Sequence, residues 1–466
     1  MRGSVLASSG GIRYRALDTC GVLPQMKGNT IMADMIQIPE MYKNYIYPEK
    51  RNMPYNPNVI NTYYSEITIS QSQALEDFAT FKYLIDNAYS GRDYWAMRGV
   101  DFPKLYAQIE GVLKAHDHLP ATLFRDTIYQ TFLGKIVDNH LSLRVYNDEH
   151  GYCFSATKQA YFTGIIVEEQ KGKYVVVQSD HKGIHTGDII ECADDFLFPT
   201  LAPTGKNWFY VGARDWIPVE RLSVGVNGRE TIIPLHKSKA GEYVPTDEFF
   251  KLTSCLDIPT VLSGTFYDIY DHVSRDCGVE YGHQLKNEKQ VMWVLAGNGG
   301  GSSIFAERFV EALNGYANSS THAAYLETHI TNFSKVNLCN PYTNWQFYID
   351  PPMDYSQSKF EGTLFTLMNH DTGSAAENAV GYAKSVKNHI LIGENSGGIG
   401  LFGEVQGYLL RHSMIRLGIP CKIFLNGVAE GEGYNPDYWI DSADLVGKVA
   451  RWIRGKKEDS SVKEGV

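Results

Sequence analysis

From about residue 245 the chain alternates buried apolar runs with helical spacing, and this constrains its fold more than any other feature. MWVLAG is an apolar run, GNGGGSS a glycine turn, and IFAERFVEAL a helix pattern with Phe305, Phe309 and Ala312 on one face. That helix closes at Asn314-Gly315, a C-terminal stop signal. A second run, GTLFTLM (residues 362–368), leads into NHDTGSAAENAV and a helix expected from Ala375 to about Val386. HILIGE supplies a further strand. Strands alternating with helices imply an α/β layer structure.

The N-terminal half reads differently. Residues 1–65 are rich in Tyr, Pro and Asn and are expected as an extended arm. Residues 66–150 suggest a helical domain. Ser70 and Gln73 form a capping-box pair, Asp101 and Pro103 mark a second helix start, and Phe124, Ile128, Phe132 and Ile136 step by four along a third. The segment DNHLSLRV follows, with His140 expected just past the helix. Residues 151–244 hold short strands, among them YFTGIIVEE, KYVVVQS and a hairpin turning at Asn227-Gly228. Residues 451–466, charged and poor in apolar side chains, are expected to be a disordered tail.

Composition narrows the partners. The 466 residues carry 43 Lys plus Arg against 53 Asp plus Glu, a net charge of −10. Such a chain repels phosphate backbones, so nucleic acid is not the expected partner. No run reaches the ~18 apolar residues of a membrane span, and no intact signal peptide is seen, which leaves the compartment undefined. The seven cysteines include no CxxC pair, so no metal site is expected from them.

The chemistry concentrates at Ser374. It stands between Gly373 and two alanines where a strand becomes a helix. There it could serve as an ordinary N-cap, or as a nucleophile whose small neighbours admit a carbonyl and whose helix N–H groups face developing negative charge. The loop LAGNGGG (residues 295–301) lacks both GxGxxG spacing and the Lys of a phosphate loop. Its glycines can instead bring backbone N–H groups close to an oxyanion. His140 and Glu430 draw little attention alone.

The order of motifs is more informative. DNH, a β segment with a Gly-Asp turn, GNGGG, TGSAAE, GENSGG and EGEGYNPD follow one another along residues 70–445. This series resembles the C-terminal processing (tail-specific) peptidases, a family that includes the tricorn core and retinoid-binding repeats. The resemblance implies a crotonase/Clp-like α/β catalytic core (245–450) with an N-terminal helical domain and an inserted PDZ-like β module. It implies Ser374 as nucleophile, His140 as general base, and Glu430 as the acid that orients or polarises the His. The oxyanion hole would be the N–H of Ala375 with one from Gly299 or Gly300. Ile399 stands where the Ser/Lys branch places its Lys, so the arrangement is that of the His-using branch, with Asn139 in place of its preceding Ser. Peptides or proteins would be the substrates, with their C-termini expected at the β module, and neither metal nor organic cofactor would be needed. Two other readings use the same scaffold: a non-catalytic binder of an apolar ligand or peptide, to which 30 Tyr and 21 Phe would also suit, and a crotonase-like acyl-CoA enzyme, against which the separate helical and β segments argue.

Overall fold

The computed structural model describes residues 67–145, 152–267, 277–318, 325–328, 345–348, 353–424 and 429–461. The expected N-terminal arm lies outside these residues.

β1 (Thr68–Ser70) leads into α1 (Gln71–Asn87). The capping box forms as expected: the Gln73 N–H donates to Ser70 Oγ at 3.3 Å, and the Ser70 N–H donates to Gln73 Oε1 at 2.9 Å. α2 (Gly91–Met97) follows, a short helix that the apolar spacing does not disclose. α3 (Phe102–Lys114) begins at Asp101, whose carboxylate accepts the Lys104 N–H at 3.0 Å. β2 (His118–Pro120) pairs antiparallel with β1, and α4 (Ala121–Phe132) comes next. α4 buries Phe124, Ile128 and Phe132 but stops before Ile136. Gly134 takes φ 71° in the turn that ends it, and Ile136 rejoins the same apolar cluster from outside the helix.

His140 therefore lies inside a strand rather than just past a helix: β3 spans Asp138–Arg144 and pairs with β4 (Tyr152–Phe154). The helices share one core with Leu141, Leu143 and Phe154 of this pair and with Leu417 and Ile419 of a later strand. The helical segment is thus packed onto a sheet and has no separate core.

The expected β segment forms an antiparallel array. Its strands are β5 (Gln159–Gln170), β6 (Lys173–Ser179), β7 (Ile189–Glu191), β8 (Leu197–Thr200), β9 (Trp208–Asp215), β10 (Arg221–Val226), β11 (Arg229–Pro234) and β12 (His236–Lys237). Asn227 and Gly228, at φ 49° and 78°, make the tight turn between β10 and β11. The array has its own apolar cluster around Ile165, Val167, Val211 and Ile233.

The C-terminal part contains β13 (Lys251–Cys255), β14 (Ile258–Leu262), α5 (Cys277–Leu285), β15 (Gln290–Val294) and α6 (Ile304–Asn314). It continues with β16 (Tyr325–Thr328), β17 (Trp345–Tyr348), β18 (Thr363–Met368), α7 (Ala375–Ala383) and β19 (His389–Gly393). β20 (Phe402–Leu409), β21 (Arg416–Phe424), β22 (Tyr438–Trp439) and α8 (Leu445–Ser461) complete it. The expected α/β alternation is present. β14, β15, β18, β19 and β22 run parallel in that order, and the helices α6 and α7 bury Phe309, Val310, Ala376 and Val380 against them.

Two expectations are corrected here. The β array is not detached from the α/β sheet: β8 pairs in parallel with β22 at Thr200–Trp439, which makes one fourteen-stranded sheet. Trp439 packs among Phe162, Phe198 and Tyr210 and so glues the two parts with apolar surface. The tail expected to be disordered from 451 is helical to Ser461, because Leu445, Val449, Ala450 and Ile453 give α8 a buried face on the sheet. A second sheet of six strands holds β17, β16, β21, β3 and β4 in order, with β20 on β21. No helix of the described residues is long and apolar enough to cross a membrane.

Candidate active site

Ligands in α/β sheets gather at the carboxyl ends of the parallel strands. Three such ends converge here: the glycine loop after β15, the loop from Asn369 after β18, and the loop from Glu394 after β19. The first two are stitched together. Asn369 Oδ1 accepts the Gly297 N–H at 2.8 Å, Thr372 Oγ1 donates to the Leu295 carbonyl at 3.0 Å, and the Gly373 N–H donates to the Asn298 carbonyl at 3.0 Å.

This places Ser374 at the start of α7 in an unusual backbone state, φ 54° and ψ −121°. Such a conformation costs a residue with a Cβ about 1–3 kcal/mol and must be imposed by its surroundings. The N-cap explanation does not hold, because the hydroxyl makes no bond to the helix. Ser374 Oγ instead meets His140 Nε2 at 3.0 Å, across 234 positions of sequence.

A β-bulge aims His140. The β3–β4 register shifts between Asp138 and Ser142, and bulges of this kind re-aim side chains beside functional sites. A bulge also leaves backbone N–H groups without strand partners. Here carboxylates take them: Asp138 Oδ1 accepts from His140 and Leu141, each at 2.8 Å, and Glu430 Oε1 accepts from Asn139 at 3.0 Å.

Glu430 thus holds the neighbour of His140. Asn139 Nδ2 donates to Glu430 Oε1 at 2.9 Å and to the Gly398 carbonyl at 3.3 Å, and Glu430 Oε2 accepts the Leu401 N–H at 3.1 Å. The His140 pKa lies below its ordinary value. Burial removes the water that would solvate an imidazolium and lowers the value to about 4, although the Phe402 carbonyl acts in the opposite direction. The carboxyls of Glu430 and Asp138 are both raised, first by burial; the charge of Asp138 adds to the rise at Glu430.

The candidate oxyanion donors separate. Gly299 is exposed, and its N–H and that of Ala375 have no acceptor among the described residues. The Gly300 N–H is already given to Asn298 Oδ1 at 2.9 Å, so it is not available to an oxyanion. Gly300 serves by its size: at φ 107°, an added Cβ would lie 2.7 Å from Ser374 Cβ and 2.9 Å from the Gly373 carbonyl. Ile399 packs on Gly373 and Gly397 and offers no titratable group.

Sequence reasoning missed three residues: Asp138 in DNH, Asn298 in GNGGG and Glu377 in SAAE. Each lay inside a recognised motif, but only the fold shows what it holds. The buried Glu377 accepts from Ser396 Oγ at 2.5 Å, Gly398 N–H at 2.9 Å and Ile399 N–H at 2.6 Å, and burial raises its pKa to about 6. A nitrogen of His140 and one carboxylate oxygen from each of Asp138 and Glu430 lie within 4.8 Å of one another. A small divalent ion could use that spacing, but both Glu430 oxygens already serve backbone N–H groups. That leaves two ligands, short of the three that catalytic zinc sites employ.

Residues 286–440 match peptidase family S41. The chain carries a peptidase family S41 domain. It is an enzyme of the serine-peptidase class. No curated protein matches the chain. Among solved structures, mature CPAF is similar over 83% of this chain and 97% of its own, at 11% identity and TM-score 0.47. The photosystem II D1 C-terminal processing protease is similar over 82% of this chain and 96% of its own, at 15% identity and TM-score 0.39. The tricorn protease is similar over 84% of this chain and 37% of its own, at 14% identity and TM-score 0.34. Likenesses at this level carry no functional weight. The S41 match covers the glycine loop, Ser374 and Glu430, while His140 lies outside it.

Proposed function

We propose that the S41 domain hydrolyses peptide bonds through Ser374, with His140 as general base. The observation that carries this reading is the 3.0 Å contact between Ser374 Oγ and His140 Nε2. Ser374 Oγ attacks the peptide carbonyl carbon while its proton passes to Nε2. The carbonyl oxygen, now negative, is held by the N–H groups of Gly299 and Ala375 at the start of α7. The tetrahedral species collapses, the amine leaves with the proton from Nε2, and an acyl-enzyme remains. Water then gives a proton to Nε2 and attacks the acyl carbon; the bond to Ser374 Oγ breaks, Nε2 returns that proton to Oγ, and the acid is released. Glu430 contributes by fixing Asn139 and Leu401.

The β5–β12 array would hold peptide substrate, in the manner of a PDZ-like module adding a strand. Its attachment to the segment bearing Glu430 supports this. The Lys158 N–H donates to the Gly431 carbonyl at 2.9 Å, Lys158 Nζ pairs with Glu432 at 2.6 Å, and the Arg214 guanidinium donates to the Glu432 carbonyl.

The test is a fluorophosphonate probe followed by peptide mapping. One adduct on Ser374 is expected, lost in Ser374→Ala together with peptide hydrolysis. Unlabelled protein, or an adduct elsewhere with Ser374→Ala still hydrolysing peptide, refutes the reading.

A further inference from the structure

The bulge that presents His140 holds two buried polar atoms that complete no hydrogen bond among the described residues. Asp138 is fully buried, and its Oδ1 takes the His140 and Leu141 N–H groups. Neither its Oδ2 nor His140 Nδ1 reaches hydrogen-bond geometry with any described residue, although the Tyr89 hydroxyl acts on Asp138 and the Phe402 carbonyl on His140. Buried polar atoms are rarely left so, since each costs about 1–3 kcal/mol. One is an acceptor and the other is a donor when protonated, on residues two apart in the same bulge. Glu430, the acid that the motif order points to, has both oxygens engaged by Asn139 and Leu401.

We propose that Asp138, rather than Glu430, is the positioning residue for His140, its Oδ2 receiving the Nδ1–H so that Nε2 turns a lone pair to Ser374. This rests on the Ser374–His140 reading. Catalytic hydrogen bonds are often long without substrate and tighten when it binds, and one water can carry such a contact. When Ser374 attacks, its proton moves to Nε2, the Nδ1 proton stays in place, and the Asp138 carboxylate faces the resulting imidazolium.

Asp138→Asn tests this directly. The His140 and Leu141 N–H groups will hold the amide oxygen at the Oδ1 place, so the NH2 must occupy the Oδ2 place. A donor then faces Nδ1, the imidazole proton is driven to Nε2, and Nε2 donates to Ser374 instead of accepting. The rate of Ser374 labelling by a fluorophosphonate should fall by up to roughly 10⁴-fold, the size of the kcat loss when the equivalent tautomer control is removed in a Ser-His-Asp enzyme. With a peptide substrate, kcat should fall and KM change little, because Asp138 does not touch substrate. Nitrogen NMR of His140 should show Nδ1–H in the unaltered protein and in Glu430→Gln, and Nε2–H in Asp138→Asn. Labelling within threefold of the parent with Nδ1–H retained in Asp138→Asn overturns the proposal, as does a tautomer switch in Glu430→Gln. If Asp138→Asn does not fold, the spectrum of the unaltered protein decides, since Nε2–H there is incompatible with the assignment. Failure of the unaltered protein to label at Ser374 is a different result, and it refutes the Ser374–His140 reading itself.

Discussion

Replacing Ser374 by Gly should leave the protein more stable than replacing it by Ala, although both variants lack the proposed nucleophile. Both lose the same 3.0 Å bond to His140, so that contribution cancels. The Ala variant keeps a Cβ at φ 54°, ψ −121°, at a cost of about 1–3 kcal/mol. The Gly variant sheds this strain but loses about 0.5–1 kcal/mol to the greater freedom of its unfolded chain. The balance favours Gly by about 1 kcal/mol. With an unfolding entropy of about 2.1 cal/mol/K per residue, a chain of 466 residues shifts its Tm by only roughly 1 °C for that difference. Urea unfolding followed by tryptophan fluorescence, with both variants fitted to a common slope, is the sharper assay. An Ala variant as stable as the Gly variant, or more so, refutes the claim that the fold holds Ser374 in a strained state.

Gly300→Ala should lower peptide hydrolysis at least ~100-fold, because the new Cβ would stand 2.7 Å from Ser374 Cβ, and placement errors of about 1 Å cost that much. Gly299→Ala, with nothing within 4 Å of its added Cβ, should remain within a few fold in the same assay. Glu377→Gln leaves one oxygen to serve two backbone N–H donors on separate carboxylate oxygens, Gly398 on Oε1 and Ile399 on Oε2. It should cost about 1–3 kcal/mol in denaturant unfolding and lower kcat. In an NMR titration of Ser374→Ala, His140 should protonate near the value of about 4 that burial imposes, and a pKa at or above the ordinary ~6.5 would contradict it. Between those two values the unfolded chain binds a proton that the folded His140 refuses, so stability should fall as pH drops through that window. His140→Gln should remove that part of the pH dependence of unfolding.

The α/β alternation was legible because buried parallel strands and amphipathic helices carry distinct periods. The capping box at Ser70 and the turn at Asn227-Gly228 were legible because each is local chemistry. The Ser374–His140 pair was reachable only through motif order, since no local rule joins residues so far apart in sequence. The bulge was not legible: β3 alternates like any strand, and the register shift depends on its partner. For the same reason Asp138 and Glu430 could not be told apart by their places in motifs. What separates them is which backbone N–H groups each accepts: His140 and Leu141 for Asp138, Asn139 and Leu401 for Glu430. The join at β22 was hidden because two residues, Tyr438 and Trp439, are too short a run to read as a strand.

Ser374 stands in the loop after a strand of the fourteen-stranded sheet, whereas His140 lies in a strand of the six-stranded sheet that packs under the helices. Competence for catalysis is therefore a matter of alignment between two bodies, each with its own apolar core. A slip of one sheet against the other by the width of a single atom would part Ser374 from His140, and so silence the proposed nucleophile, while every helix and strand stayed intact. Inactivation can accordingly precede unfolding, and intact circular dichroism says little about whether such a molecule is switched on.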